Sequence, residues 1–461
     1  MDDVLVVGAG PTGCMLAGEV ARAGHAVTVL ERHAEISPLS RAFGVHARTL
    51  EVLDTRGLAD ELLATGAKAS RLELWHKAEL ELCRLPSKFP FALVTPQTNV
   101  DQLLERYAIV QGATIQRNTS VSTIIQHDDR VEAHTEDGQT YTAKYLIGAD
   151  GVRSTVRDQL GLAFPGKAVL SSIMLADAYL TDPPTELIRV NAVKDCFAFI
   201  APFGDGWFRI IAWDRQQPGA DRSSVDPAAI RDILQRSMGT DFGLSEIRWS
   251  SRFHSDERQV AQYRVGRVFL AGDAAHVHSP AGGQGMNTGI QDAFNLGWKL
   301  AAVLDGTDAQ ILDTYQEERH PIGTLVLRSS GATIRLMIVR SALLRRLRNV
   351  GITALLKIRP LSARAAGMFS GVGLRYHGQT RVPDLPLAGG TTLYAHLRSG
   401  GFVLVLAQHA PEPNAVELPA VRRTDNGPTV LVRPDGFPAW QGRDDGWRAE
   451  LRRWTAITIP A

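Results

Sequence analysis

Cysteine is scarce in this chain: its 461 residues include only three, Cys14, Cys83 and Cys196, and these lie far apart. An odd, scattered set excludes a disulfide framework and offers no spacing typical of a cysteine-rich metal site. We therefore expect a reducing, cytoplasmic environment and no metal centre built on thiolates.

The chain also lacks an excess of charge and a long apolar run. Its 50 Lys and Arg balance 49 Asp and Glu, which gives no support to a nucleic-acid partner. No apolar segment is long enough to span a bilayer, and no basic signal-peptide region precedes the first strand pattern at Val4. For the arginines between Arg328 and Arg364, a membrane-surface helix is one alternative, and a solvated helix face is the one we favour. The sequence thus predicts no nucleic-acid and no membrane partner.

The chain is long and rich in apolar residues, and its predicted secondary structure changes from one segment to the next. With 44% apolar residues in 461, it is predicted to form two or three domains. Strand, helix and strand patterns at Val4–Val7, Met15–Ala23 and Val27–Leu30 predict a βαβ unit with parallel strands. Strands and turns dominate 171–259, helices dominate 309–370, and two strand patterns return in the tail. The predicted fold class is α/β.

A glycine-rich turn joins the first strand to the first helix. Gly8, Gly10 and Gly13 form the pattern G-x-G-x-x-G, which permits a tight turn, close approach to a pyrophosphate and close helix packing. The helix N-terminus adds N–H groups and a positive dipole end for the phosphates. Glu31 ends the second strand, where an acidic side chain can bind a ribose hydroxyl pair. The turn predicts a dinucleotide site, and it leaves NAD, NADP and FAD open.

Two later segments, each following an apolar strand, select among these cofactors. The first is Gly148-Ala-Asp-Gly-Val-Arg-Ser154, and the second is Ala271-Gly-Asp-Ala-Ala-His276 with Pro280-Ala-Gly-Gly-Gln-Gly-Met-Asn287. With the glycine turn, they resemble the class A, single-component FAD-dependent aromatic monooxygenases of the para-hydroxybenzoate hydroxylase type. The closest resemblance is to bacterial aromatic-polyketide hydroxylases and rifampicin monooxygenase-like enzymes, and it covers essentially the whole chain.

The resemblance implies a three-part architecture. A discontinuous Rossmann-like FAD-binding domain would comprise 1–170 and 260–375, with a helical extension, and a mixed β-sheet substrate domain would comprise 171–259. The tail, 376–461, would resemble the small thioredoxin-like C-terminal domain of phenol hydroxylase-type members. Because the tail contains no Cys-x-x-Cys pair, the redox function of thioredoxins is excluded and a structural role is expected.

The resemblance also assigns residues to FAD. Asp273 would bind the ribityl chain, and the loop from Pro280 to Asn287, including Gly285, would run along the isoalloxazine ring. Backbone N–H groups of Met286 and Asn287 would face the N1/O2 edge, which becomes anionic on reduction, so that fixed donors stabilise it. Further FAD positions that match the family are Thr12, Arg32, Arg41, Gln97, Val121 and Asp150. The alternative for the two aspartates is a helix-capping role.

The chemistry that the resemblance implies is that of the flavin, which the protein positions. Transiently bound NADPH or NADH would reduce FAD, O2 would add at C4a, and the hydroperoxide would hydroxylate an aromatic, polycyclic polyketide-type substrate. Baeyer–Villiger insertion or epoxidation, including antibiotic inactivation, stays open on the same scaffold, as does a non-catalytic flavin or polyketide-binding protein. No metal is expected, although His276 and His278 are the most metal-like pair.

The substrate side is specified less sharply by the sequence. No catalytic acid or base is assigned, although His46, Tyr179 and His254 are conceivable ones. The middle sheet should roof the flavin, with alternate residues of each strand facing the substrate. The contacts we favour are His46, Arg189, Phe199 and Arg209, and a place in the domain core is the alternative for each. A monomer and a homodimer both stay open.

Overall fold

The computed structural model of the protein describes residues 1–37, 42–74, 78–185, 188–217, 219, 224–280, 282–413 and 418–456. Within these ranges, the strands are β1 (Asp2–Val7), β2 (Val27–Leu30), β3 (Gly44–Val45), β4 (Ala67–Ala69), β5 (Arg71–Leu74), β6 (Ala78–Glu81), β7 (Ala92–Val94), β8 (Thr114–Gln116), β9 (Val121–Gln126), β10 (Val131–Thr135), β11 (Thr140–Gly148), β12 (Gly166–Leu180), β13 (Arg189–Val193), β14 (Cys196–Pro202), β15 (Trp207–Asp214), β16 (Leu244–Gln259), β17 (Arg264–Val265), β18 (Val268–Leu270), β19 (His276–Val277), β20 (Arg375–Tyr376), β21 (Gln379–Thr380), β22 (Val403–Leu406), β23 (Ala420–Arg422), β24 (Thr429–Val432) and β25 (Pro438–Gly442). The helices are α1 (Pro11–Arg22), α2 (Ala47–Asp54), α3 (Ala59–Leu63), α4 (Gln97–Val110), α5 (Thr155–Gln159), α6 (Pro227–Met238), α7 (Gln284–Leu304), α8 (Asp313–Met337), α9 (Ala342–Lys357), α10 (Arg359–Ser370), α11 (Leu393–Leu397) and α12 (Trp447–Trp454). None of these helices combines the length and the apolar character needed to cross a membrane.

The first sheet is built around the predicted βαβ unit. β1 pairs in parallel with β2 on one side and with β11 on the other, in the strand order β17-β18-β11-β1-β2-β8. β9 and β10 extend this sheet as an antiparallel meander on β11. α1 packs against α4 and α7, and Gly18 lets the Tyr107 ring approach, since a Cβ there would lie 2.3 Å from Cε1. The predicted βαβ unit is therefore confirmed, and the fold is α/β.

The second sheet covers the first domain with one of its two faces. Its strand order is β19-β16-β12-β15-β14-β13-β5-β6. The outer face, with Ile200 and Ile210, packs under α6 as a separate core, and the inner face, with Phe197 and Ile211, joins the core of the first sheet. The sequence places this sheet within 171–259, whereas β5, β6 and β19 come from outside that range. Pairing between distant segments therefore widens the sheet beyond what its local pattern shows.

The tail forms a smaller sheet with the order β23-β22-β24-β25. β22 and β23 are parallel, and the other neighbouring strands are antiparallel. The two strand patterns predicted in the tail are β22 and β24, and the helices predicted over 309–370 are α8, α9 and α10. Trp298 of α7 reaches into the apolar core of the tail, where its ring lies 5.7 Å from that of Phe402.

A buried ionic cluster joins the tail to α7 and α8. Arg433 donates to the two carboxylate oxygens of Glu318 at 2.5 and 2.9 Å, and it also binds Asp435. Lys299 donates to Glu318 at 2.8 Å, and the indole N–H of Trp298 donates to Asp435 at 3.2 Å. Burial lowers the pKa of Lys299 to about 8, although the charge of Glu318 opposes this. Loss of one member would leave a buried charge without its partner, so the cluster fixes the tail in place.

Candidate active site

The glycine turn between β1 and α1 can be built only with glycine at two positions. Gly8 has a φ of +104°, and a Cβ there would lie 2.5 Å from the carbonyl oxygen of Ala149. A Cβ at Gly13 would lie 1.9 Å from the carbonyl oxygen of Gly8. Gly10, the N-cap of α1, makes no side-chain cap, and no atom lies within 4 Å of the position of its Cβ. The uncapped first turn of α1 thus adjoins open space, which suits a phosphate group.

Glu31 lies directly after β2 and is hydrogen bonded to the glycine turn. Its Oε2 accepts the backbone N–H of Ala9 at 2.8 Å, and its Oε1 accepts that of His33 at 2.9 Å. The carboxylate is therefore fixed beside the turn, where the sequence predicts a ribose contact. Arg32 is exposed and donates from Nε to the His33 ring at 3.3 Å. Arg41, also predicted to contact FAD, lies outside the described residues.

Asp273 stands on the short 3-10 helix that follows β18. Its side chain is exposed although both of its neighbours are buried, and its Oδ1 lies 3.8 Å from the position that a Cβ would take at Gly285. Thr12 fills the space between this turn and α7, because its Oγ1 lies 2.6 and 2.3 Å from the Cβ positions of Gly272 and Gly289. The three motifs of the sequence therefore meet at one place.

The loop from Pro280 to Asn287 leads into α7 through Gly283, a left-handed N-cap with a φ of 61° and no side-chain cap. Asn287 uses its side chain to bind the protein itself. Its Oδ1 accepts the backbone N–H of His46, and its Nδ2 donates to the carbonyls of Gly44 and Gly283, all at 2.8 Å. The backbone N–H groups in this first turn of α7, including that of the half-buried Met286, have no acceptor within the helix. They are the donors that the sequence assigns to the flavin.

Asp150 follows β11 and takes part in capping α5, which is the alternative role considered for it. Its Oδ2 accepts the backbone N–H of Val156 at 3.1 Å, at the start of α5, while Ser154 is the N-cap. Its Oδ1 is buried and has no partner among the described residues. Burial raises the pKa of this carboxyl group. An oxygen in this state needs a donor, and the hydroxyl groups of FAD would supply one, so the residues present fit the cofactor.

The N-terminus of α4 carries a second pair of polar side chains. Gln97 is the first residue of the helix, and its Oε1 accepts the backbone N–H of Ala42 at 3.0 Å. Asp101, one turn later, has a buried Oδ1 without a partner in the described ranges, and burial raises its pKa to about 7. Asp101 is not among the predicted cofactor residues, although its spacing of four from Gln97 places both on one helix face. Val121, another of the predicted FAD positions, is buried at the start of β9.

The two histidines of the third motif form a hydrogen-bonded chain. His278 Nε2 lies 2.8 Å from His276 Nδ1, and His276 Nε2 lies 2.5 Å from a carboxylate oxygen of Asp292. Burial and the neighbouring His276 lower the pKa of His278 well below its usual value. No group of three His, Cys, Asp or Glu that could hold a metal ion occurs in the part of the chain that the structure describes. Asp292 is not among the predicted site residues, although it is the only charged residue in the sequence from 284 to 298.

His46 lies beside the glycine loop, which is the segment from Pro280 to Asn287 that leads into α7. Its ring is 4.6 Å from the ring of Phe369, and its Nε2 lies 3.8 Å from the position of a Cβ at Gly283. The residue is only 4% exposed, and burial lowers its pKa to about 4. At neutral pH its ring is therefore uncharged.

Phe199 and Arg209 share the inner face of the second sheet. Phe199 is half-buried, and its ring lies 4.9 Å from that of Phe43. Arg209 is fully buried, donates to Asp177 at 2.6 Å, and lies over the ring of Phe203 at 5.3 Å. The charge of Arg209 is thus balanced by a carboxylate within the sheet.

Arg189 lies on the other face of the same sheet. It pairs with Ile200, whose side chain belongs to the core under α6, and its guanidinium lies 5.5 Å from the centre of the Phe242 ring. The structure therefore does not bring Arg189 together with Phe199 and Arg209, because strand alternation turns it away. Tyr179 and His254, the remaining acid–base candidates, are both exposed.

Comparison with known proteins places this geometry in a family. Residues 1–330 match the protein family described as FAD binding domain. The chain is 39% identical over 472 residues to rifampicin monooxygenase of Streptomyces venezuelae, with 96% of each chain covered. It is 35% identical to dialkyldecalin synthase of Streptomyces rugosporus, with 98% of each covered. The solved structure of OxyS anhydrotetracycline hydroxylase from Streptomyces rimosus is similar, with a TM-score of 0.86, 35% identity, and 99% and 100% of the two chains covered. The chain belongs to the FAD-dependent aromatic monooxygenases, and its cofactor is FAD.

Proposed function

We propose that this monooxygenase hydroxylates an uncharged, polycyclic polyketide-type substrate held against the inner face of the second sheet. The observation that carries the proposal is the half-buried ring of Phe199 on an inner face whose other side chains are mostly apolar. Because Asp177 balances the charge of Arg209, this face suits a flat neutral ring system better than an aromatic acid. The names of the relatives, which refer to rifampicin and anhydrotetracycline, agree with such a substrate.

The residues that would hold FAD are distributed along the whole length of the cofactor. The glycine turn and the N-terminus of α1 would bind the pyrophosphate, and Glu31 would bind a ribose. Asp150 and Asp273 would accept hydrogen bonds from hydroxyl groups, and the N–H groups of Met286 and Asn287 would face the N1/O2 edge of the flavin. Once bound, FAD supplies the redox chemistry: it accepts a hydride from NAD(P)H and passes one atom of O2 to the substrate.

The protein's own contribution is to shape and polarise the ring site. The first turn of α7 would present N–H groups and a positive dipole end to the edge of the bound flavin that becomes negatively charged on reduction. Asn287 ties that turn to the segment before α2, and the neutral ring of His46 packs between the glycine loop and Phe369. We propose that His46 shapes the loop and does not exchange a proton during the reaction.

A second candidate function is conversion of a polyketide without net oxidation. A relative named dialkyldecalin synthase, 35% identical over nearly the whole chain, and a similar solved structure described as a Diels-Alderase favour it, because a Diels–Alder reaction involves no net oxidation. Insertion of oxygen next to a carbonyl, or epoxidation, would use the same residues and is distinguished by the product.

We also propose the three-part division into 1–170 with 260–375, 171–259 and 376–461, with the modification that β5, β6 and β19 belong to the second sheet. For the tail we propose a thioredoxin-like unit. Its support is the sheet order β23-β22-β24-β25. β22 and β23 are parallel, and β24 lies between β22 and β25 and is antiparallel to both. The buried cluster around Arg433 and Glu318 indicates a fixed, structural role.

The test measures substrate-stimulated NADPH and NADH oxidation by the FAD-loaded protein with polycyclic and single-ring phenols. We expect stimulation by polycyclic phenols, and a several-fold higher KM for them in Phe199→Ala. Phe208→Ala is the matched control, because Phe208 lies on the outer face of the same sheet. Equal stimulation by single-ring phenols, or an unchanged KM in Phe199→Ala, would contradict the proposal. Product formation without NAD(P)H would favour the second candidate.

A further inference from the structure

Asp292 is a fully buried carboxylate in the middle of α7 that binds three donors. Its Oδ2 accepts the backbone N–H of Gly272 at 3.1 Å and is 2.5 Å from Nε2 of His276. Its Oδ1 accepts from Nε of Arg319 on α8 at 2.6 Å. None of these contacts involves the flavin-facing surface directly.

The first two donors flank one residue of the candidate site. Gly272 immediately precedes Asp273, and His276 lies three residues after it, so a single carboxylate holds the turn at its start and at its end. Within that turn, Asp273 alone is exposed. The turn that carries Asp273 is therefore held from its inner side by a fully buried carboxylate.

Only an anion satisfies this arrangement. Gly272 and Arg319 are obligatory donors, and His276 can donate from Nε2 while its Nδ1 accepts from His278 at 2.8 Å. An amide at position 292 would direct its own N–H groups at one of these donors. Burial alone would raise the pKa of Asp292, but the charge of Arg319 and the hydrogen bonds from Arg319 and His276 outweigh it and lower the pKa to about 2.

Arg319 is itself held rigidly. It donates to the backbone carbonyl of Thr288 at 3.1 Å and to the hydroxyl of Tyr376 at 3.0 Å, and it is 1% exposed. The anchor of the turn thus connects to α7, to α8 and to the β20–β21 hairpin. A buried network in which every member is paired specifies one geometry and resists displacement.

We propose that Asp292 is a positioning residue for the flavin half of FAD: through Gly272 and His276, it holds Asp273 where the ribityl chain binds. This inference rests on the proposed role of Asp273. Groups that orient the ligands of a metal typically change metal affinity by about 10- to 100-fold when they are replaced, and we expect an effect of the same order for FAD.

The first experiment measures the binding of FAD and of ADP to the full chain stripped of flavin. ADP occupies only the nucleotide end, at the glycine turn, so it reports on the integrity of the first sheet. Asp292→Asn should weaken FAD binding by roughly tenfold or more and leave ADP binding within about twofold of the wild type. Glu51→Gln is the matched control: Glu51 is a buried carboxylate paired with Arg381, remote in sequence from the turn, and its loss should not change the FAD-to-ADP affinity ratio. Equal weakening of FAD and ADP by Asp292→Asn would overturn the inference.

A double-mutant cycle then tests the route through Asp273. If Asp292 acts through Asp273, FAD should bind the Asp273→Asn, Asp292→Asn double variant about as weakly as it binds Asp273→Asn. If the two substitutions instead weaken FAD binding independently, so that the double variant shows the product of their fold losses, the inference is overturned and the role of Asp273 stands. No loss in Asp273→Asn would overturn both. If Asp292→Asn does not fold, His276→Leu replaces it, because it removes one hydrogen bond to Asp292 and keeps the ion pair with Arg319. It should show the same FAD-specific loss and the same coupling to Asp273. If FAD binding by His276→Leu is unchanged or uncoupled from Asp273, the inference is overturned.

Discussion

Replacing His46 by glutamine should make the folded protein less sensitive to acid. In the native protein His46 is buried beside Phe369, and its pKa lies at about 4, against 6.5 for an ordinary histidine. Between these two values the unfolded chain binds a proton that the folded protein does not, so stability falls as the pH drops from 6.5 to about 4. Each pKa unit corresponds to about 1.4 kcal/mol, so the full loss amounts to about 3 kcal/mol.

The assay is urea unfolding of the wild type and of His46→Gln at a series of pH values across this window. The difference in the free energy of unfolding between the two proteins should change by about 3 kcal/mol from pH 7 to pH 4, in favour of the variant. Other buried groups, including His278, titrate in both proteins and cancel in that difference. A difference that is independent of pH would refute the burial of a neutral His46.

Three further changes test the fold and the cofactor site. Arg433→Met should lower the free energy of unfolding by about 3–5 kcal/mol because it leaves buried carboxylates without their partner. The control Arg106→Met, at an exposed ion pair, should lower it by less than about 1 kcal/mol. Equal losses for the two variants in urea unfolding would contradict the role of the cluster. Gly289→Ala should destabilise the protein by about 1–3 kcal/mol by displacing the Thr12 hydroxyl, and adding Thr12→Ala should restore most of the loss; a double variant no more stable than Gly289→Ala would argue against this contact. Gly8→Ala should purify without its flavin absorbance, since its φ and its 2.5 Å approach to a carbonyl exclude a Cβ; a normally yellow variant would contradict the turn geometry.

The sequence predicts those parts of the site that depend on local pattern. The strand, glycine turn and helix from β1 to α1 and the turn of Asp273 form as motif and periodicity predict, although α1 begins at Pro11 rather than at Met15. The carboxylate of Glu31 lies beside the glycine turn, as its position after β2 predicts. These features are set by contacts between near neighbours in the chain, so a short segment carries enough information. Long-range features are different, because they depend on which segments meet after folding.

Two residues of the second sheet illustrate that limit. Alternation along β13 predicts that Arg189 and the next residue point to opposite faces of the sheet. Which of these faces packs under α6 depends on where α6 lies, and the strand pattern does not show that. The partner of Arg209 is Asp177, on the strand beside it, and that pairing is set by strand register. Asp292 was not predicted for the same reason, since its donors lie in two other segments, the turn from Gly272 to His276 and helix α8.

Labelled oxygen provides the most direct test of the proposed function. The FAD-loaded protein would be supplied with NADPH, a polycyclic phenol that stimulates its oxidation, and ¹⁸O2, and the product would be analysed by mass spectrometry. We predict one labelled atom in each product molecule, formed in proportion to the NADPH consumed. NADPH consumption that yields only hydrogen peroxide and unlabelled phenol, across the whole panel, would contradict hydroxylation of such substrates.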